Sequence, residues 1–156
     1  MSATSANRPD VIVVGAGIVG AACAYYLALD DLRVLVLDSG IAGGGTTAAG
    51  MGHLALMDDS EAEFALCHHS QRLWAELSPA LPADCEELTY GCLWIAEDEE
   101  EMELLRPKID YYRERGVEVE LLGERELRQA EPQLAPDLPG AMLLPEDRVI
   151  YQLGAT

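Results

Sequence analysis

The chain has 156 residues, of which 49% are hydrophobic and 24% charged, and its 28 acidic and 10 basic side chains give a formal net charge of −18. This length fits one domain with a core of its own, and no apolar run approaches the roughly 20 residues needed to cross a bilayer. A surface this acidic repels phosphate backbones and anionic lipid, which argues against nucleic-acid and membrane-surface partners. Residues 1–9 have neither a basic start nor an apolar segment, so we expect a disordered arm, no signal peptide and a cytoplasmic protein.

Two apolar strands with a helix between them open the folded part of the chain. The segments from Val11 to Val14 and from Arg33 to Asp38 have no polar face, which predicts two strands that are buried on both sides. The alanine-rich segment from Ile18 to Leu29 predicts a helix that joins them. Together these segments predict a βαβ unit with parallel strands.

The remaining chain alternates between helices and strands. Ser60 and Glu63 form a capping box, which predicts a helix from Ser60 to about Leu77. We expect four residues of this helix to face a core, namely Phe64, Leu66, Leu73 and Trp74. Further along, the sequence predicts strands over 92–96, 117–122 and 140–145 and a short helix over 124–132.

An acid-rich segment near the middle of the chain predicts another helix. It begins near Asp98 and ends at Gly116, a natural left-handed residue for a helix C-terminus. Pro107 falls inside this segment and is expected to kink or split the helix.

Three glycines follow the first strand at the spacing of a dinucleotide-binding turn. Gly15 permits the tight turn, Gly17 lets the backbone approach a pyrophosphate, and Gly20 removes a side chain where helix and strand touch. The helix N-terminus then offers free N–H groups to the phosphates. Asp38, at the end of the second strand, would accept hydrogen bonds from a ribose diol and would repel a 2′-phosphate, which argues against NADP.

The loop after Asp38 distinguishes between the remaining cofactors. A nicotinamide dehydrogenase usually places a helix soon after this strand, whereas the stretch GGGTTAAGMGHL is too rich in glycine for a stable helix. Thr46 and Thr47 offer hydroxyls, and the flanking glycines allow the backbone to wrap closely around a flat or charged group. This pattern favours FAD over NAD.

The cysteines and histidines suggest no metal site. Cys23, Cys67, Cys85 and Cys92 contain no C-x-x-C pair, and we expect reduced, mostly buried thiols, with Cys23 buried in the first helix. His68 and His69 point about 100° apart on a helix, so one ion would not be held by both.

These motifs resemble the N-terminal part of the D-amino-acid oxidase-like flavoproteins, the family that includes glycine oxidase, sarcosine oxidase and D-hydroxyproline dehydrogenase. The specific part lies in the first 54 residues, in VIVVGAGIVGAACAYYLA, VLVLD and GGGTTAAGMGHL. The segments YGCLWIAEDEEEME and LPEDRVIY also look like family segments, so the resemblance covers essentially the whole chain. It is nearest to the D-hydroxyproline or D-amino-acid dehydrogenase branch.

The resemblance implies FAD as a non-covalent cofactor and a set of residues that hold it. The turn would be formed by Gly15, Gly17, Ile18, Val19 and Gly20, and Asp38 would bind the adenosine ribose. The adenine and pyrophosphate end would be served by Ser39, Thr46 and Thr47. The segment that passes near the isoalloxazine ring would contain Ala48, Ala49, Gly50, Met51 and His53. In such enzymes a hydride leaves the α-carbon of a D-amino acid or secondary amine for flavin N5, giving an imine. The sequence favours ordinary loop positions for Met51 and His53 over an active-site role, and no catalytic residue is identified.

The expected fold class is α/β, with a Rossmann-like FAD-binding βαβ unit followed by the beginning of a mixed α+β substrate domain. We expect the FAD-binding region over 10–80 and the start of the substrate domain over 81–156. Since only two strands suit the parallel sheet, the chain resembles a fragment that is inactive alone and needs a C-terminal half or other subunits of a heteromeric dehydrogenase. The partner of the complete enzyme would be a small amino acid or amine. Two alternatives stay open, an NAD-dependent Rossmann dehydrogenase fragment and a non-catalytic remnant or interaction module.

Overall fold

A computed structural model describes residues 8–58 and 60–156, so most of the arm predicted over 1–9 lies outside the described residues. Eight strands and five helices are formed by the described residues. In chain order they are β1 Val11–Val14, α1 Ile18–Leu29, β2 Val34–Leu37, α2 Thr46–Ala49, β3 His53–Leu54, α3 Glu61–Leu77, β4 Leu88–Thr89, β5 Cys92–Ala96, α4 Glu99–Glu114, β6 Glu120–Gly123, α5 Glu124–Ala130, β7 Gly140–Leu144 and β8 Arg148–Val149. Short 3₁₀ turns cover Ser78–Ala80 and Ala83–Cys85.

The chain divides into two compact units. Of the described residues, unit 1 contains 8–53, 77–87 and 150–156, and unit 2 contains 54–58, 60–76 and 88–149. The segment 54–76, which includes most of α3, thus clusters with the later part of the chain, although it lies before residue 80. The functional division into an FAD-binding region over 10–80 and a substrate region over 81–156 stays a prediction.

Unit 1 contains the predicted βαβ unit. β1 and β2 pair in parallel, with Ile12 opposite Leu35 and Val14 opposite Leu37. One face of this strand pair, the face that includes Val13, packs against α1. The prediction that both strands are buried on both sides is wrong, because the described residues place a helix on one face only and Val14 is 85% exposed.

Unit 2 is built on an antiparallel sheet with the strand order β5-β7-β6. The central strand is buried on both faces because successive side chains alternate. Met142 packs with Phe64 and Tyr112 in one hydrophobic cluster, whereas Ala141 packs with Leu127 of α5 in another. A second, short antiparallel pair joins β4 and β8.

Local signals account for the helix ends in unit 2. Ser60 accepts a hydrogen bond from the Glu63 amide at 3.2 Å, so the cap predicted for α3 is present. Asp98 accepts one from the Glu101 amide at 2.9 Å and caps α4 in the same way. Gly116 has a φ of +76°, as predicted for the residue that ends α4.

Several predictions in this unit need correction. The predicted strand over 117–122 is formed only from Glu120, because the Val117 amide donates to Tyr112 O in the cap of α4. α4 runs through Pro107 as one helix, so of the predicted kink or split the split is wrong, and the kink stays a prediction. Leu66 does not face the core, since it is 69% exposed, whereas Phe64 is buried.

The four cysteines lie within the described residues and are free thiols. Cys23 is exposed, which contradicts the prediction that it is buried, because the solvent side of α1 has no covering element among the described residues. Cys85 is buried, and burial raises its pKa.

Candidate cofactor-binding site

The glycine turn joins β1 to α1 and has the geometry that the sequence predicts. Gly15 has a φ of +107°, a left-handed conformation that glycine adopts without strain, and its amide donates to Leu37 O at 2.7 Å. A Cβ on Gly20 would lie 1.9 Å from Gly15 O, which no side chain can do without displacing the backbone. Gly20 is therefore required for the close approach of the helix to the turn.

The N-terminus of α1 is capped by a side chain from the loop that follows β2. Gly17 occupies the N-cap position and has no side chain to offer, and the Ile18 amide instead donates to Thr47 Oγ1 at 3.0 Å. A Cβ added to Gly17 would lie 3.2 Å from the same oxygen, which is tighter than an ordinary van der Waals contact. A substituent at position 17 would therefore press against the Thr47 hydroxyl in front of the helix.

Asp38 braces the turn from the end of β2. Its carboxylate accepts hydrogen bonds from the Ala16 amide at 2.7 Å and from the Gly40 amide at 2.8 Å. These two amides lower the pKa of Asp38 below its ordinary value, so the group is ionised at neutral pH. The structure therefore gives this carboxylate a role in holding the turn, and its contact with a ribose stays a prediction.

The glycine-rich loop runs close to the turn and then away from it. The Gly43 amide donates to Ala16 O at 2.7 Å, which ties the start of the loop to the turn. Thr46, Thr47, Ala48 and Ala49 form the short helix α2, so the prediction that this segment has no helix is wrong for these four residues, which lie between the two groups of glycines.

The structure brings together only part of the predicted site. The glycine turn, Asp38 and Thr47 are joined by hydrogen bonds. Val19 is 74% exposed and Met51 is 78% exposed. Ser39, Thr46 and His53 are exposed as well, so their assignment to the cofactor stays a prediction.

One contact of the loop was not foreseen. The side-chain amide of Gln152 donates to Gly50 O at 2.6 Å, across 102 residues of sequence. No sequence pattern around Gln152 indicates this contact, because Gln152 and Gly50 become neighbours only in the folded chain.

The residues present fit the diphosphate of a dinucleotide such as FAD. Among the described residues, no atom outside the chain neighbours lies within 4 Å of a Cβ added to Gly15 in the turn or to Gly45 in the loop, so the backbone at both positions is open to a ligand. The hydroxyl of Thr47 lies at the helix N-terminus, where a phosphate would be favoured by the helix dipole. A phosphate bound here would be held by the N-terminus of α1 and by the Thr47 hydroxyl, while Asp38 holds the turn through the Ala16 amide.

Comparisons with known proteins identify the family of the chain. Residues 10–155 match the model of the DAO family, described as FAD dependent oxidoreductase. Glycine oxidase of Bacillus subtilis is 32% identical over 145 residues, which are 88% of this chain and 38% of that protein. Anaerobic glycerol-3-phosphate dehydrogenase subunit A1 of Haloferax volcanii is 31% identical over 149 residues, 92% of this chain and 24% of that protein.

A solved structure gives the same result for the fold. The crystal structure of glycine oxidase from Geobacillus kaustophilus superimposes with a TM-score of 0.82 at 30% identity and covers 95% of this chain and 42% of that chain. The chain therefore spans about two-fifths of the length of these glycine oxidases. No helix among the described residues is long and apolar enough to cross a membrane.

The cofactor of this family is FAD, so FAD is confirmed as the predicted cofactor and NAD is set aside. The fold, the glycine turn and the match over residues 10–155 lead to one conclusion: the chain belongs to the DAO family of FAD-dependent oxidoreductases.

Proposed function

We propose that this chain is the FAD-binding part of an enzyme that oxidises a small amino acid or amine, such as a D-amino acid or a secondary amine of the D-hydroxyproline type. The relatives named glycine oxidase support an amino-acid substrate. The observation that carries the proposal is the glycine turn with Thr47 at the helix N-terminus. When bound, FAD supplies the electron acceptor, which takes a hydride from the α-carbon of a neutral amine and leaves an imine.

The chain's own residues provide binding and orientation in this proposal. The N-terminus of α1 and the Thr47 hydroxyl would hold the diphosphate, and Asp38 keeps the turn in shape through the amides of Ala16 and Gly40. Residues 48–53 would extend from this anchor toward the ring end of the cofactor. The hydride acceptor is thereby fixed by contacts at the opposite end of the molecule.

A second substrate class has support from one relative. The Haloferax volcanii protein is named as a subunit of an anaerobic glycerol-3-phosphate dehydrogenase, so a hydroxyl carbon of a small phosphate ester is the alternative substrate. The same name supports a partner chain in a heteromeric dehydrogenase. A cytoplasmic location stays a prediction.

Titration of the purified 156-residue chain with FAD and separately with ADP tests the cofactor part of the proposal. We expect saturable binding of both ligands, since ADP carries the diphosphate and adenosine that the turn is proposed to hold. The non-catalytic alternative expects no binding of either ligand. Absence of binding by a folded chain would contradict the proposal for this chain.

A matched pair of glycine variants locates the site. Gly17 and Gly50 have similar extended backbones, with φ of −79° and −75°, so alanine suits both conformations. Gly17→Ala places a methyl group before α1, 3.2 Å from Thr47 Oγ1, and should abolish ADP binding, whereas Gly50→Ala makes only an ordinary contact, 3.4 Å from Thr47 O, and should retain it. Equal ADP affinity for the two variants would show that the turn does not hold the diphosphate.

A further inference from the structure

The last residues of the chain lie along the glycine-rich loop within unit 1. The Ile150 amide donates to Gly52 O at 2.9 Å, and the Gln152 side chain donates to Gly50 O at 2.6 Å. The contact is close, because a Cβ on Gly52 would lie 1.9 Å from Ile150 O. Two carbonyls of the loop, two residues apart, are therefore held by one segment.

This segment, residues 150–156, is itself anchored. The Tyr151 amide donates to the carbonyl of Cys85 at 2.7 Å, and Cys85 is 1% exposed. Gly154 approaches Asp84 so closely that an added Cβ would lie 2.3 Å from its carbonyl oxygen. A segment fixed at these two places can hold the loop in one position rather than move with it.

The two contacts with the loop differ in kind. The bond to Gly52 comes from a backbone amide, which every residue except proline can supply at position 150. The bond to Gly50 comes from the side chain of Gln152 alone, so it depends on the residue type. Gly50 also lies directly before Met51, which is 78% exposed and has little packing of its own. The bonds to Gly50 O and Gly52 O therefore restrain the backbone of Met51 from both sides.

We propose that Gln152 is a positioning residue for the ring end of the cofactor site. Its amide holds the Gly50 carbonyl and so fixes the direction in which residues 51–53 leave α2, while the diphosphate end of the site is formed without it. This inference rests on the proposed function. It predicts that loss of the amide affects the ring end of FAD and leaves ADP binding unchanged.

Hydrogen exchange of the cofactor-free chain tests the hold of Gln152 on the loop. Gln152→Met keeps the length of the side chain and removes the donor, and Gln129→Met makes the same change at an exposed position of α5. One neutral hydrogen bond corresponds to roughly a two- to tenfold change in an opening equilibrium. We expect the amides of Gly50 and Ile150 to exchange faster by this factor in Gln152→Met, with no change in Gln129→Met. Unchanged exchange in Gln152→Met would overturn the proposal.

Ligand titration tests the consequence for the cofactor. Gln152→Met should weaken FAD binding by roughly two- to tenfold, shift the visible absorption of the bound flavin, and leave ADP affinity as in the unmodified chain. Equal weakening of FAD and ADP would assign Gln152 a general structural role and overturn the proposal. The unmodified chain could also bind FAD no more tightly than ADP. In that case the ring-end site does not exist, and this inference fails while the proposed function stands. If the unmodified chain binds neither ligand, the proposed function fails and the positioning role falls with it, while the exchange data still report whether the bond holds the loop.

Discussion

Unit 1 and unit 2 bury their apolar side chains to very different extents. In unit 2, Tyr112 and Met142 are 0% exposed, and both faces of the central strand are covered. In unit 1, Val14 is 85% exposed, Ile12 is 54% exposed and α1 contains no buried residue. The α1 sequence IVGAACAYYLAL has no charged residue, whereas α4 has nine, so the smaller burial in unit 1 does not follow from a less apolar sequence and arises from the tertiary structure.

The difference has a topological cause. An antiparallel sheet forms from neighbouring segments and is covered by the helices between them, as α4 and α5 cover unit 2. A parallel pair needs a helix for each connection and ordinarily lies in a larger sheet that is covered on both faces. Within the described residues, β1 and β2 have one helix and one covered face. Unit 2 thus contains its own core, whereas unit 1 has more apolar side chains than its described residues bury.

The largest effect is expected from Tyr112 in unit 2. Tyr112→Ala removes a fully buried ring and should lower the free energy of unfolding by about 3–5 kcal/mol, measured by urea denaturation. Tyr112→Phe is the control, because it keeps the ring and should retain most of the stability. A small loss in Tyr112→Ala would show that unit 2 does not depend on this core.

A smaller effect is expected from Gly20 in unit 1. Gly20→Ala places a methyl group 1.9 Å from Gly15 O, and the displacement of backbone should cost about 1–3 kcal/mol. The exchange of amides in α1 reports this loss locally. Gly50→Ala, which makes only an ordinary contact, should leave these amides unchanged. Tolerance of alanine at position 20 would contradict the close approach of helix and turn.

The open face of unit 1 should tolerate a charge. Val14→Asp changes a side chain that is 85% exposed, so the free energy of unfolding should change by less than about 0.5 kcal/mol, while the fluorescence of a dye that binds apolar surface should fall. Val13→Asp, on the face that packs against α1, should be much more destabilising. Similar losses in both variants would mean that the two faces are equally covered in solution.

The smallest expected effect is a shift in the titration of Asp38. Its pKa in the folded chain is lowered by the amides of Ala16 and Gly40. The ionised Asp38 carboxylate therefore contributes fully to the free energy of unfolding above its unfolded pKa of about 3.9. This contribution is lost as the pH falls through the lower pKa of the folded chain. The NMR signal of the Asp38 carboxyl carbon should have a titration midpoint at lower pH in the folded chain than in the chain unfolded in urea. A midpoint equal to the unfolded one would show that the two hydrogen bonds are absent.

Part of the fold and part of the site could be predicted from local pattern. β1, α1 and β5 have the predicted bounds, because glycine turns and short apolar runs define them within a few residues of sequence. The strands β3, β4 and β8 have two residues each and were missed, because pairs this short carry no periodicity. Leu66 was misplaced for a related reason: apolar character alone does not say which side of α3 meets the core.

By itself, the sequence determined the glycine turn, the order of the first elements and the class of cofactor, because these depend on backbone conformations that only certain residues adopt. Only the tertiary structure decided that Asp38 binds Ala16, that Thr47 caps α1 and that Gln152 reaches Gly50. Each of these hydrogen bonds joins residues at least 22 positions apart, and such pairs become neighbours only after the chain has folded.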